Sequence, residues 1–237
     1  MVAGLATNVA FGLLRMAVLT AAVGQTPIAG YDVAATTTYV WLAQGLITVV
    51  VLWGDRQLAD RVRSGDVVVD LYRPWHLQSA LLAEDVGRAG YAVLVRLAPP
   101  VAFGAVLFPF RWPSPAAWPA FAVSVALAVA VSFGMRFLLN ATTFWLLDNR
   151  GVQALYTAAT WVLCGLAVPL SFFPDWAVPI VWSTPFAAML QAPVDVFLER
   201  GSPWPLLAGQ ASWAAAVLLA GHLVLRRAER KVVVQGG

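Results

Sequence analysis

VRSGDVVVDLYRPWHLQSALLAEDVGRAG, residues Val62 to Gly90, is a charged passage set between two long apolar ones. With its lead-in from Trp53 it holds Asp55, Arg56, Asp60, Arg61, Arg63, Asp66, Asp70, Arg73, Glu84, Asp85 and Arg88. The whole chain has 15 basic and 12 acidic residues, so eleven of them crowd into this one island. Charge at that density belongs in water, and what flanks it does not. The island therefore marks where the chain leaves one environment and enters another.

Working outward, the remainder is too apolar for a water-soluble domain. The 237 residues are 60% hydrophobic and 11% charged, with mean hydropathy +0.75. Soluble domains carry about a quarter charged residues. Membrane residence explains the deficit, and one integral membrane domain over residues 1–237 is expected. The net charge of +3 speaks for orientation and anionic lipid rather than nucleic acid, because no basic, aromatic-interleaved soluble surface is present. Cys164 is the only cysteine, which excludes an internal disulfide. The N-terminus lacks a basic region ahead of its apolar run, and Arg15 interrupts that run, so it reads as a retained first span or membrane-surface helix.

A helix needs about 20 apolar residues to cross the hydrocarbon. Six segments qualify: Val2 to Val23, Thr36 to Leu52, Tyr91 to Phe108, Ala116 to Leu139, Val152 to Phe172 and Pro205 to Leu225. Six crossings put both termini on one side. That side collects Arg56, Arg61, Arg63, Arg73, Arg88, Arg150, Arg226, Arg227, Arg230 and Lys231, against Arg111 and Arg200 on the other. Positive loops stay inside, which makes both ends and the island cytoplasmic. Trp53, Trp112, Trp118, Trp176 and Trp204 fall near proposed span ends, the zone an indole prefers.

The segment of about 173–205 is apolar but broken by Pro174, Pro179, Pro185, Pro193, Pro203 and Pro205, so no uninterrupted crossing fits there. A helix from about Pro185 to Leu198, capped by Ser183 or Thr184, is expected to lie at or dip into the outer face. It reads either as a structured external loop or as a gate over an exit path. Its candidate gate residues are Phe173, Pro174, Trp176, Pro185 and Phe186. Small residues recur at four-residue spacing at Ala126, Ala130 and Gly134, and again at Ser212, Ala216 and Ala220. That spacing permits close helix approach, within the chain or across a subunit interface.

Signals of catalysis are missing. There is no phosphate-binding loop, and the sole lysine, Lys231, sits in the tail. His76 and His222 lack the paired spacing of metal ligands, so no metal, cofactor or catalytic residue is expected. Arg15, Arg96 and Arg136 lie closest to membrane depth, as anchors or in substrate or helix pairing. No acidic residue accompanies them inside the spans, which argues against a proton relay. Within the island, Leu58, Val62 and Leu71 space out a surface helix, Ser64-Gly65-Asp66 makes a turn, and Arg73-Pro74 ends regularity. A second helix follows from Leu77 to Val86. Such a helical hairpin is suited to docking in a groove of a soluble partner.

The wording of several segments resembles bacterial ABC transporter permeases of the type-2 exporter class, and the actinobacterial six-span branch in particular. The pieces that carry the likeness are IAGYD (Ile28 to Asp32), TTYVWLAQGL (Thr37 to Leu46), SGDVVVDLYRP (Ser64 to Pro74) and LAEDVGRAG (Leu82 to Gly90). SFGMRFLLN (Ser132 to Asn140), FWLLDNRG (Phe144 to Gly151), FPDW and PFAAMLQAPVDVF (to Phe197) extend it over nearly the whole chain. One departure is a short stretch before the first span, where such permeases commonly carry a longer cytoplasmic leader.

The resemblance implies an all-α membrane protein of six transmembrane helices, with a cytoplasmic coupling hairpin (about 54–90) and an extracellular re-entrant or interfacial segment. It implies a non-catalytic permease subunit of an ATP-driven exporter in the bacterial plasma membrane. The cargo would be a lipophilic or amphiphilic small molecule. ATP hydrolysis would reside on a separate ATP-binding subunit, and a second permease, identical or different, would complete the pore. Arg63, Asp66, Asp70, Arg73, Pro74, Glu84, Asp85 and Arg88 become the expected ATPase-coupling residues. Two other readings compete: a membrane scaffold whose island recruits a soluble factor, and an ion-coupled carrier.

Overall fold

The computed structural model describes residues 2–235 except Gln25, Pro74 and Leu147, with side chains described from Thr7 to Arg230. Pro74 and the side chain of Lys231, both singled out above, therefore lie outside what is described. Among the described residues the chain is helical throughout, and its only extended pairing is the isolated bridge Ile28–Tyr31.

Helix α1 (Val2–Val23) runs out along α2 (Val33–Val50). Asp32 starts α2 by taking up the amide of Ala35 at 2.7 Å, an N-cap that satisfies an otherwise orphaned donor. After α2 the chain turns at Val51, which holds a left-handed φ of 51° that a β-branched residue resists. The hairpin follows as α3 (Gln57–Ser64) and α4 (Val67–Leu71), joined at Gly65, whose φ of 86° ends α3. Both lie where the sequence places the island's first helix and turn.

Helix α5 (Leu77–Ala92) does not stop at Val86. It passes through a π turn (Val93–Leu97) into α6 (Ala98–Leu107), so the second hairpin helix and the third span are one rod, Leu77–Leu107. The π turn sits just ahead of Pro99 and Pro100, which cannot supply the amides an α-helix needs there. Helix α2 crosses this rod closely: a Cβ on Gly45 would lie 2.9 Å from Leu97 Cα, and one on Gly104 would strike the Trp41 side chain.

Helix α7 (Ala117–Ala141) is the central rod, continuing into a 3-10 turn (Thr142–Phe144). Helix α8 (Arg150–Leu163) ends well short of the expected Phe172. Fourteen residues reach about 21 Å, less than the roughly 30 Å of a hydrocarbon core. The break falls at Gly165, φ 84°, where a Cβ would strike Gln191 Oε1. Beyond it come α9 (Ala177–Trp182), α10 (Pro185–Met189), α11 (Gln191–Phe197) and the long α12 (Pro203–Gln235). The single helix expected from Pro185 to Leu198 is thus two, because the Gln191 amide leaves the helical ladder for Cys164 O at 3.1 Å.

Among the described residues, four helices are long and apolar enough to cross a membrane: Val33–Val50, Leu77–Leu107, Ala117–Phe144 and Pro203–Arg230. Set against the six expected crossings, the structure has these four, the shorter apolar α1, and the 14-residue α8 followed by the short helices α9–α11. Helix α12 packs along α7, where Val217 fills the space a Cβ on Gly134 would occupy. Ala126, Ser212 and Ala216 face outward, so much of both small-residue stripes is uncovered.

Candidate functional site

The hairpin meets the bundle at a buried charge cluster centred on Arg136. Ser132, Arg136 and Asn140 stand four residues apart on one face of α7 and point at the hairpin. Arg136 Nη2 donates to Asp85 Oδ2 at 2.7 Å, Nη1 donates to Asp55 Oδ2, and Nε reaches Ser132 Oγ at 3.4 Å. Asn140 Nδ2 donates to the Asp55 carbonyl at 3.1 Å. The acids missing from the spans are therefore supplied by the island. A guanidinium taken out of water demands such partners, since an unpaired one would cost several kcal/mol.

Asp85 also accepts from Arg88 Nε at 2.8 Å. Arg88 then caps α2: its Nη1 and Nη2 donate to the carbonyls of Thr48 and Val49 at 2.7 and 2.8 Å. Those carbonyls belong to the last turn of α2, where acceptors lack intrahelical partners and the helix dipole favours a cation. Ser132 Oγ donates to Val51 O at 2.9 Å, which holds the left-handed turn in place. A cavity of about 400 Å³ opens beside this cluster, walled on its apolar side by Trp53, Leu58, Leu81, Phe133 and Phe137.

The other expected coupling residues divide by exposure. Asp70 is buried and braces the hairpin internally, accepting from Arg61 at 2.9 Å with Arg73 at 3.7 Å. Arg63 Nη2 donates to Asn149 Oδ1 at 2.8 Å, tying α3 to the start of α8. Asp66 is exposed and accepts from Ser64 Oγ at 2.6 Å. Glu84 is exposed and held by Gln57 Nε2 at 3.3 Å. Arg73 lies over the Trp75 ring, 5.3 Å from its centroid. Around it the hairpin shows an apolar patch of Val68, Val69, Tyr72 and Trp75, with Tyr72 86% and Trp75 55% exposed.

At the opposite end of the bundle, α11 is locked by a second polar cluster. Gln191 Nε2 donates to Tyr31 OH and Asp195 Oδ1 at 3.1 and 2.9 Å, and its Oε1 accepts from the Leu170 amide at 3.2 Å. Arg200 stacks over Tyr31 at 4.1 Å and donates to Ala29 O at 2.7 Å. In the following loop Glu199 accepts from both the amide and the hydroxyl of Ser114, which holds its carboxyl below the usual glutamate range. Of the candidate gate residues, Phe173 packs with Leu170, Val181 and Ala187, while Trp176 is 73% exposed. Pro174 O receives the first amides of α9, and Pro185 opens α10. Phe186 lies 6.0 Å from the Tyr156 ring on α8.

Some partners have no local signature in the sequence. Asp55, Asn149, Gln153, Gln191, Tyr31, Asp195 and Arg200 meet across long stretches of chain. The polar stripe Ser132-Arg136-Asn140 in an otherwise apolar helix is the one signal that marks the site. His76 and His222, read as isolated, face each other with ring centroids 6.1 Å apart. No group of three or more metal-ligating side chains forms among the described residues.

These features define an integral membrane helical bundle with a charged hairpin clamped to the ends of its long helices. Residues 7–236 match the family model described as ABC-2 family transporter protein, so the chain belongs to that family and is a permease subunit of an ABC transporter. An ABC ATP-binding partner follows from that membership. No curated protein and no solved structure matches the chain.

Proposed function

We propose that this permease serves an ATP-driven exporter, with the hairpin in the cytoplasm seated on an ATP-binding subunit that carries all ATP hydrolysis. Both termini are then cytoplasmic in a bacterial plasma membrane, a second permease completes the pore, and a lipophilic or amphiphilic small molecule leaves past the α9–α11 segment. The observation that carries this reading is the Arg136 cluster. Through Asp55, Asp85 and Arg88 it fastens the hairpin to α7, to the rod of α5 and α6, and to the end of α2. A hairpin bonded this way cannot shift without tilting those helices.

Tyr72, Trp75 and Arg73 offer the residue types that dominate binding at interface centres. Asp66, Arg73 and Glu84 are placed to set register at the rim, whereas Asp70, Asp85 and Arg88 act by shaping the hairpin. ATP biases such a two-state machine only through its different contact energy in each state, delivered at this docking surface.

The test is reconstitution of the permease with the ATP-binding subunit that copurifies in mild detergent, reading ATP-dependent efflux of a lipophilic dye from vesicles. Arg136→Met should abolish efflux while the chain still inserts. Full efflux by that variant at equal protein level would remove the cluster from the mechanism. A copurifying partner without ATPase activity would instead favour a scaffold.

A further inference from the structure

We propose that α8 carries the hairpin's displacement to the α9–α11 segment, with Gln153 and Asn149 as its positioning residues and Gly165 as its joint. This rests on the ATP-driven reading above and goes further, by naming the element that links the two ends.

The near end of α8 is bonded to the hairpin and its lead-in at two places. Arg56 Nε donates to Gln153 Oε1 at 2.8 Å and Arg63 Nη2 donates to Asn149 Oδ1 at 2.8 Å, while the Trp53 ring of the lead-in meets Trp161 in the last turn of α8, 5.8 Å away. Gln153 Nε2 donates in turn to Asn149 Oδ1 at 3.3 Å, so both contacts load one point. Asn149 is fully buried, and its Nδ2 reaches Leu139 O and Thr142 Oγ1 at the end of α7. A charged donor meeting a neutral amide forms a bond stronger than an ordinary one, and here two converge.

The body of α8 is lightly held. Only Tyr156 and Thr160 are buried, Leu155 is 72% exposed, and the helix packing most against it is the short α10. A rod without tight lateral packing can move lengthwise at small cost, whereas α7, buried along its length by α11 and α12, cannot.

The middle and far end of α8 are bonded to the α9–α11 segment. Cys164 O accepts from the Gln191 amide, Tyr156 OH donates to Met189 Sδ at 3.9 Å, and the Tyr156 and Phe186 rings meet. Between rod and segment stands Gly165 at φ 84°, the left-handed region that side chains avoid. The α-helix ends at Leu163, two residues before it. Gln191 connects that joint to Tyr31 and Asp195, so movement of Cys164 bears directly on the outer polar cluster.

The experiment places spin labels at Trp176→Cys and Trp204→Cys, both exposed, in the complex of permease and copurifying ATP-binding subunit held in lipid nanodiscs. Cys164 is buried and is left in place. Pulsed distance measurements compare the nucleotide-free complex with the ATP–vanadate trapped one. The labelled pair should shift on trapping, Gln153→Leu should lose the shift, and Gln153→Glu, which keeps an acceptor for Arg56, should retain it. Arg56→Met must reproduce the loss from the other side of the same bond. A shift unchanged in Gln153→Leu and Arg56→Met overturns the role of α8 and leaves the ATP-driven reading standing. A background pair that never shifts overturns both.

Discussion

Arg136 on α7 donates to Asp85 on α5 at 2.7 Å, with side chains only 3% and 9% exposed. The two are 51 residues apart in sequence and come from opposite sides of the boundary between island and span. A buried pair of this kind gives little net stability against an apolar replacement of both partners, but breaking it from one side is costly.

Arg136→Met leaves Asp85 charged and unpaired save for Arg88. The expected loss is about 3–5 kcal/mol, read as a lower thermal midpoint in detergent. Asp85→Asn added to Arg136→Met should recover part of it, because the uncompensated charge goes. Arg136→Lys should fall between, keeping the charge but not the fork that serves two carboxylates.

Tyr72→Ala and Trp75→Ala should leave the midpoint of the isolated permease unchanged, since both rings face outward from the hairpin. Each should weaken capture of the ATP-binding subunit by tenfold or more, about 1.4 kcal/mol, in a titrated pull-down. Equal binding by both variants would move the docking surface elsewhere.

The second and fourth spans and the hairpin turn at Gly65 were legible because run length, charge and glycine report them directly. The end of α8 was not. Val152 to Phe172 carries no charge, and hydropathy does not register that Gly165 turns left-handed under Gln191. The Arg136 pairing escaped for a different reason: its acids come from hairpin positions distant in sequence, and spacing carries no information on such contacts. Only the polar stripe on α7 hints that a partner must exist. The coupling residues formed a single list in the sequence, and burial separates them into braces such as Asp70 and exposed positions such as Asp66.

Gly165→Ala places a Cβ against Gln191 Oε1 and asks alanine to hold φ 84°. The left-handed backbone alone costs about 1–2 kcal/mol. Limited proteolysis should find the 164–176 region cut faster, with the Arg136 end unaffected.

Glu199 is held by two Ser114 donors, which keep its carboxyl below the ordinary glutamate value. The depressed folded pKa means the tether is complete above about pH 4.3 and is lost as pH falls through the folded value. Exchange of the Ser114 amide should therefore be slow at neutral pH and match that of Glu199→Gln once the carboxyl is protonated.

Sidedness of the hairpin decides more than any other quantity here, and a cysteine placed at the exposed Ser64 turn reads it directly. With Ser64→Cys in intact cells, a membrane-impermeant maleimide should fail to label, and permeabilising the cells should give full labelling. Labelling from outside intact cells would put the hairpin on the wrong face for an ATP-driven partner and contradict the account.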